Sequence, residues 1–315
     1  MFYNAEKDNL PKPCVSSCFA EKDVHYKPKK IPYVQQYLTF VAVEDTTFQW
    51  LGAATSNTIN YSIDDGETWD ELATTATTPT VEAGNKILWK AHGMGHQTGS
   101  GAPYGIGTFR SSAKFNVEGN VMSIIWDDDF IGKKEIQLEK DQFNGLFSGC
   151  TNLISAENLE LPATVLKESC YVRFFDGCSS LVAGPKKLPT KTLASACYRN
   201  FYLNCKALEE VPSDLIAAET LASSSCLSMF SGCTSLKTAP DLPVATLAPT
   251  CYDSMFRGCS SLNSVTCFAT DISANNCIVN WLLGVSSSGT FTKKSGVTYP
   301  SGQSGIPNGW TVIEV

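Results

Sequence analysis

Arginine is scarce in this chain of 315 residues: only Arg110, Arg173, Arg199 and Arg257 among 24 basic side chains, against 31 acidic ones and a formal net charge of −7. Four scattered guanidiniums under an acidic balance cannot line a phosphate-gripping groove, which excludes nucleic acid and anionic membrane as expected partners. Long apolar runs are missing too, none approaching the roughly 20 residues of a membrane helix. Enzyme signatures are absent: there is no Gly-x-Ser-x-Gly elbow, no phosphate loop ending in Gly-Lys-Ser/Thr, and no dinucleotide fingerprint between strand and helix. GSGAPYGIG (99–107) has neither a lysine nor a following helix. The opening MFYNAEKDNLPKPC places charge and proline where a secretory leader carries its apolar stretch, so export by the usual route is not expected. Tight Cys-x-x-Cys pairs of the zinc type are lacking, and no enzyme, cofactor or metal site is expected.

What is present is a repeat. Phe-x-Gly-Cys-x-x-Leu recurs as LFSGCTNL (146–153), FFDGCSSL (174–181), FYLNCKAL (201–208), MFSGCTSL (229–236) and MFRGCSSL (255–262). The residue before each cysteine falls at Gly149, Gly177, Asn204, Gly232 and Gly258, with a cysteine-less echo at Gly284, in steps of 28, 27, 28, 26 and 26. A period in the twenties is that of one helix or turn plus one short strand per unit, stacked on a shared core.

Thirteen cysteines first suggest a disulfide framework, but the odd count and the repeat phase favour another explanation. Cys150, Cys178, Cys205, Cys233 and Cys259 follow the Gly or Asn; Cys170, Cys197, Cys226, Cys251 and Cys277 precede the next one. Both sets are expected to form ladders of buried thiols along the stack, cysteine behaving as a small apolar residue.

Residues 1–36 are rich in proline and lysine without helical or strand period, which reads as an extended attachment arm. Residues 37–130 contain LTFVAV (38–43), FQWL (48–51), INYSI (59–63), KILWKA (86–91), KFNV (114–117) and VMSIIW (121–126), short stretches that predict a small antiparallel β-sandwich domain. From 131 to 284 the spacing turns helical. In TLASACYRNFYLNC (192–205), Leu193, Cys197 and Phe201 fall at i, i+4 and i+8, so helices are expected over 141–148, 166–176, 192–203, 220–231, 247–257 and 273–283. Gly149, Gly177, Asn204, Gly232, Gly258 and Gly284 would stop them through a left-handed turn. Residues 285–315 are expected to cap the open end as β structure. The fold class so read is α+β.

Candidate sites are few. SIDDGETW (62–69) has the Ser-x-Asp-x-Gly-x-Thr-Trp pattern of an Asp-box and resembles hairpin turns of sialidases and β-propellers; with Arg110 as the one arginine of its region, a structural turn is expected rather than a catalytic Asp64. His92 and His96 have a ligand-like spacing, but Gly93 and Gly95 argue for a solvated loop. Asp127, Asp128 and Asp129 lack the alternation of a calcium loop and read as a solvated linker, as do Asp64, Asp65 and Glu67. Cys14, Cys18 and His25 lie in the arm without partners that would make a site.

The FSGCTSL and FxGCSSL units resemble the leucine-rich repeats of BspA-like surface proteins over about 141–284, with a longer period and added LPATVL and LPVATL stretches. Together with YSIDDGETW and SGIPNGWTV (304–312), the arrangement is similar to proteins of gut Bacteroidetes and their crAss-like phages. The resemblance implies a leucine-rich-repeat solenoid and a non-enzymatic role: a virion surface protein of head-fibre or decoration type, assembled in the host cytoplasm. It would be docked on other virion proteins of capsid or tail through residues 1–36, be homo-oligomeric as dimer or trimer, and display ligand-binding residues that the sequence does not name. A bacterial cell-surface adhesin for host protein or glycan is the alternative. An intracellular peptide platform ranks behind both.

Overall fold

A computed structural model describes residues 36–54, 57–94, 105–133 and 136–315. The expected arm lies outside these residues but for Gln36, as do Cys14, Cys18, His25 and His96. The described residues from Gln36 to Val315 belong to one compact unit, and the N-terminal strands and the repeats share a core.

The N-terminal strands are β1 (Leu38–Ala42), β2 (Phe48–Gly52), β3 (Ile59–Ser62), β4 (Asp70–Leu72), β5 (Lys86–Lys90), β6 (Gly107–Ser111) and β7 (Phe115–Asn120); β8 (Leu153–Glu160) follows in the first repeat. They build a six-stranded sheet in the order β4-β3-β5-β1-β7-β8 and a two-stranded sheet β2-β6. Pairing is antiparallel except between β7 and β8, which run parallel and carry the sheet from the N-terminal region into the repeats. Alternation places the core: Leu38, Phe40 and Ala42 of β1 and Ile87 and Trp89 of β5 turn inward. Around Phe40 the rings of Phe48, Trp89, Phe109 and Phe115 gather at centroid distances of 5.2, 5.3, 4.8 and 5.1 Å, and Phe147 of the first repeat joins at 5.9 Å. Between the two regions VMSIIW forms no strand; Ser123–Trp126 is a single α-helical turn, α1, continued by a 3-10 turn over Asp127–Phe130.

That pair of turns is the whole helical content among the described residues, and none of the six expected helices forms. The α+β class and the leucine-rich-repeat solenoid are thereby overturned: the fold is all β, with several sheets. The physical reason is a four-residue period that imitates a helix. Positive φ recurs at Asp141, Gly145 and Gly149, at Ser169, Arg173 and Gly177, at Ala196, Asn200 and Asn204, and likewise at Ser224/Ser228/Gly232, Thr250/Ser254/Gly258 and Asn276/Asn280/Gly284. Each left-handed residue would break an α-helix. The chain instead makes overlapping four-residue turns, in which Asn144, Leu146, Ser148 and Cys150 donate their N–H to the carbonyls of Asp141, Phe143, Gly145 and Phe147. Apolar residues at i, i+4 and i+8, such as Leu193, Cys197 and Phe201, keep the spacing of successive turns of this kind.

The remaining amides point along the stack. Phe143, Gly145, Phe147 and Gly149 donate to Cys170, Val172, Phe174 and Asp176 of the next rung, and Tyr171, Arg173, Phe175 and Gly177 pass the bond on to Cys197, Arg199, Phe201 and Leu203. The pattern continues to Trp281 and Leu283 in the sixth rung. A peptide unit that receives a bond from the preceding rung on its carbonyl thus gives one to the following rung from its N–H. This accounts for backbone groups that a run of turns alone would leave unpaired in the interior. Rungs also meet through isolated parallel bridges such as Ser155↔Ala183, Leu188↔Ile216 and Leu242↔Cys267.

Side chains stack in register with the backbone. Phe147, Phe175, Tyr202, Phe230 and Phe256 lie one above another at 5.6, 5.5, 5.3 and 5.4 Å with interplanar angles of 19° or less. At the C-terminal end, β9 (Ser264–Cys267), β10 (Gly289–Lys293) and β11 (Trp310–Glu314) form a parallel sheet in the order β11-β10-β9. Trp281 stacks on Tyr299 and donates its Nε1–H to the carbonyl of Gly305 at 2.8 Å, which covers the last rung.

Candidate functional site

The residues before the ladder cysteines have a local function, though not the expected one of ending helices. Gly149, Gly177, Asn204, Gly232, Gly258 and Gly284 all have φ between 60° and 80° and close the turn run of their rung. They sit nearly on top of each other: a Cβ on Gly177 or Gly258 would meet the glycine of the preceding rung at 3.7 or 3.9 Å.

The five thiols that follow do more than fill space. All eleven described cysteines are free and buried. Cys150, Cys178, Cys205, Cys233 and Cys259 each donate S–H to a carbonyl of the preceding layer: Phe109 at 2.8 Å, Phe147, Phe175 and Tyr202 at 3.1 Å, and Phe230 at 3.0 Å. The carbonyls of Phe147, Phe175, Tyr202 and Phe230 already accept the backbone N–H of their own rung's cysteine, so the thiol takes the second lone pair. Alanine or valine could fill the volume but not donate. That distinction was readable in the insistence on cysteine where a purely apolar demand would admit several residues. In the other set, Cys226 is one position out of phase. Ser225 occupies the place corresponding to Cys170, Cys197, Cys251 and Cys277.

Burial removes the thiols from chemistry. It pushes Cys150 and Cys259 up to about 12 and Cys178, Cys205 and Cys233 well above the ordinary thiol range. These five cysteines are expected to resist a disulfide-exchange reagent at pH 8 in the native protein and to react fully in denaturant. Peptide mapping that finds any of them labelled under native conditions contradicts the buried ladder.

The Asp-box forms a self-contained turn. Asp64 accepts from the backbone N–H and hydroxyl of Thr68, at 2.9 and 2.6 Å, and from the hydroxyl of Ser62 at 2.7 Å; these bonds, led by that of the Thr68 hydroxyl, hold its carboxyl down at about 2. Gly66, at φ 90°, permits the bend. An acid so bound to its own loop is a poor proton donor or acceptor near neutral pH. Trp69 packs edge-on against Tyr37 at 5.1 Å beneath the ammonium of Lys90.

The aspartates at the junction are organised rather than simply solvated. Lys90 reaches Asp127 at 2.9 Å and Asp128 at 3.1 Å, and the Tyr37 hydroxyl donates to Asp128 at 2.5 Å. The Tyr37 bond, with Lys90 beside it, lowers the Asp128 carboxyl, while Asp129 faces solvent. His92 is exposed and bridges Trp126 through its backbone. Among the described residues no three His, Cys, Asp or Glu side chains come together as a metal site.

The outer face of the rungs carries charge in one-repeat steps. Lys140–Glu168, Lys191–Glu219 and Lys237–Glu209 pair across adjacent rungs at 3.0, 2.6 and 2.9 Å. Lys186 pairs with Glu157 at 3.3 Å and Lys187 with Asp214 at 3.8 Å, beside a groove of about 630 Å³ bordered by Gly184, Val211 and Pro212. Such exposed pairs contribute little stability. Their contribution is a mixed-charge relief repeated from rung to rung. Gly184 is fixed from below, since a Cβ there would stand 2.1 Å from the Tyr202 hydroxyl. Comparison of the chain with known protein families, curated proteins and solved structures finds no match.

Proposed function

We propose that this chain is a non-enzymatic virion surface protein of the head-fibre or decoration type, attached through residues 1–36 and displaying its stacked repeats for adhesion or particle stabilisation. The observation that carries the reading is the continuous inter-rung hydrogen bonding, which makes the repeats one stiff body from β6 to the C-terminal sheet. Stiff repeats present a surface at fixed spacing, the property a display element needs. The virion setting rests on the sequence resemblance to phage proteins. Symmetric self-association is part of this reading, because homo-oligomers mostly close with point-group symmetry.

Deleting residues 1–36 is expected to leave the melting temperature of the rest within a few degrees while abolishing incorporation into particles, measured by quantifying the chain in purified virions. Normal incorporation of the truncated chain rejects the attachment role. Recovery of the intact chain on bacterial envelopes and never in particles favours the adhesin, for which the mixed-charge groove at Lys186 and Asp214 is the binding surface to test.

A further inference from the structure

Among the four arginines, Arg110 stands in an unusual electrostatic position. Arg173 has the Asp176 carboxylate at 4.0 Å, and Arg199 and Arg257 are exposed to water. Arg110 is half-buried, and its hydrogen bonds to oxygen all go to uncharged groups: Nη1 donates to Thr108 Oγ1 at 3.0 Å and to the carbonyls of Phe109 and Ser148 at 2.7 Å. All three come from one nitrogen, and the guanidinium also lies beside the buried Cys150 thiol, which leaves its other N–H groups without an oxygen partner. Nη2 lies over Gly149, where a Cβ would approach it to 3.4 Å.

The surroundings are built of donors without acids. On the outer face of the β2–β6 pair Arg110 is directly opposite Gln49. A shallow pocket of about 210 Å³ opens there, lined with Arg110 by Thr47, Gln49, Thr77, Ser111 and Ser112. Ser111 Oγ is buried without a hydrogen-bond partner. In a chain of net charge −7, an acidic neighbour would be the common way to balance a partly desolvated guanidinium. Here the protein balances it only with carbonyl dipoles, those of Phe109 and Ser148, and an anion entering the pocket would supply the full opposite charge.

We infer that this pocket binds an oxyanion, the carboxylate, sulfate or phosphate group of a small polar ligand, with the Arg110 guanidinium as the charged donor and the neighbouring hydroxyls completing the shell. A guanidinium fork suits such groups because two N–H vectors match two oxygens. The carbonyls of Phe109 and Ser148 hold the side chain in place from behind, so the site is preformed. The inference is independent of the display reading and concerns residues other than those of the groove at Lys186.

The test uses the whole chain, labelled with nitrogen-15, whose four arginines give a sparse set of Nε–H signals. Titration with sodium sulfate, against sodium chloride at matched ionic strength, is expected to move one signal saturably, and that signal should vanish in Arg110→Lys. Thr77→Trp, which narrows the pocket and leaves Arg110 in place, is expected to weaken the sulfate response about tenfold or more. Glucuronate compared with glucose separates the sources: a response to glucuronate identifies a sugar carboxylate, and a response confined to sulfate and phosphate identifies a tetrahedral anion. Equal shifts with chloride, or the four signals moving together, overturn the site, whether or not the chain proves to be a virion component.

Discussion

Phe201→Ala is expected to lower stability by about 3–5 kcal/mol, read from urea unfolding followed by circular dichroism and tryptophan fluorescence. Phe201 is fully buried in the third rung. Its ring stacks on Phe174 at 5.3 Å with an interplanar angle of 5°, and meets Tyr202 at 4.7 Å, Phe175 at 5.4 Å and Tyr198 at 5.6 Å. Truncation therefore opens a cavity walled by aromatic rings. These rings are fixed by a hydrogen-bonded backbone on either side, which leaves little scope for collapse. Phe201→Leu keeps most of the volume and is expected to cost less than half as much. A loss near 1 kcal/mol for the alanine variant would mean that the rungs are not packed in this register.

Gly232→Val tests the turn run itself and is expected to cost about 2–4 kcal/mol by the same measurement, because two penalties add. The backbone stands at φ 77°, where a β-branched side chain is strained. A Cβ there would also lie 2.5 Å from Asn204 Oδ1 of the preceding rung, while the Gly232 N–H is committed to Arg257 at 2.8 Å. Gly84→Val separates the two penalties. Gly84 has φ 86° with nothing within 4 Å of the added carbon, so only the conformational part is felt. Gly232→Asn should cost less than Gly232→Val, since Asn204 adopts φ 60° at the equivalent place and only the Cβ contact is then felt. Equal losses for Gly232→Val and Gly84→Val would remove the stacking contact from the account.

The repeat phase was legible because Gly149 through Gly284 mark it independently of any conformation. β1, β2, β3, β5 and β7 were legible because LTFVAV, FQWL, INYSI, KILWKA and KFNV alternate or are rich in β-branched and aromatic residues. Local turns were not. A side-chain spacing of four residues is shared by an α-helix and by a run of turns with a left-handed residue in every fourth place. The sequence marks that difference chiefly at glycine and asparagine. Ser169, Arg173, Ala196, Ser224 and Thr250 hold positive φ with no propensity for it. What keeps them there is the bond each amide makes to the next rung, a partner 25 to 27 residues away that no local pattern announces. The Asp-box was readable as a turn because all its bonds lie within SIDDGETW. Arg110 was visible only as an isolated basic residue, and its half-buried place beside Ser148 depends on β6 meeting the first rung. The thiol bonds escaped notice because each cysteine reads as a small apolar residue, and only its strict recurrence carries the signal of a donor.

The inter-rung bonds of the turn runs all run the same way, whereas in the bridging segments amides such as those of Val182, Ala217 and Phe268 donate back to Ile154, Leu188 and Leu242 of the rung before. Carbonyls of the first rung face β6 and the Arg110 guanidinium, and amides of the last rung face the C-terminal segment, where Ser304 receives one from Asn280 at 3.0 Å. Peptide dipoles of about 3.5 D aligned head to tail in this manner add as they do along a helix. The column of turn runs is therefore electrically polar, negative at its first rung and positive at its sixth. Two copies meeting through the same end would bring like partial charges together, whereas head-to-tail contact or side-by-side antiparallel packing would set opposite ends against each other. The direction of a hydrogen bond repeated from rung to rung thus biases how whole molecules can be arranged on a surface.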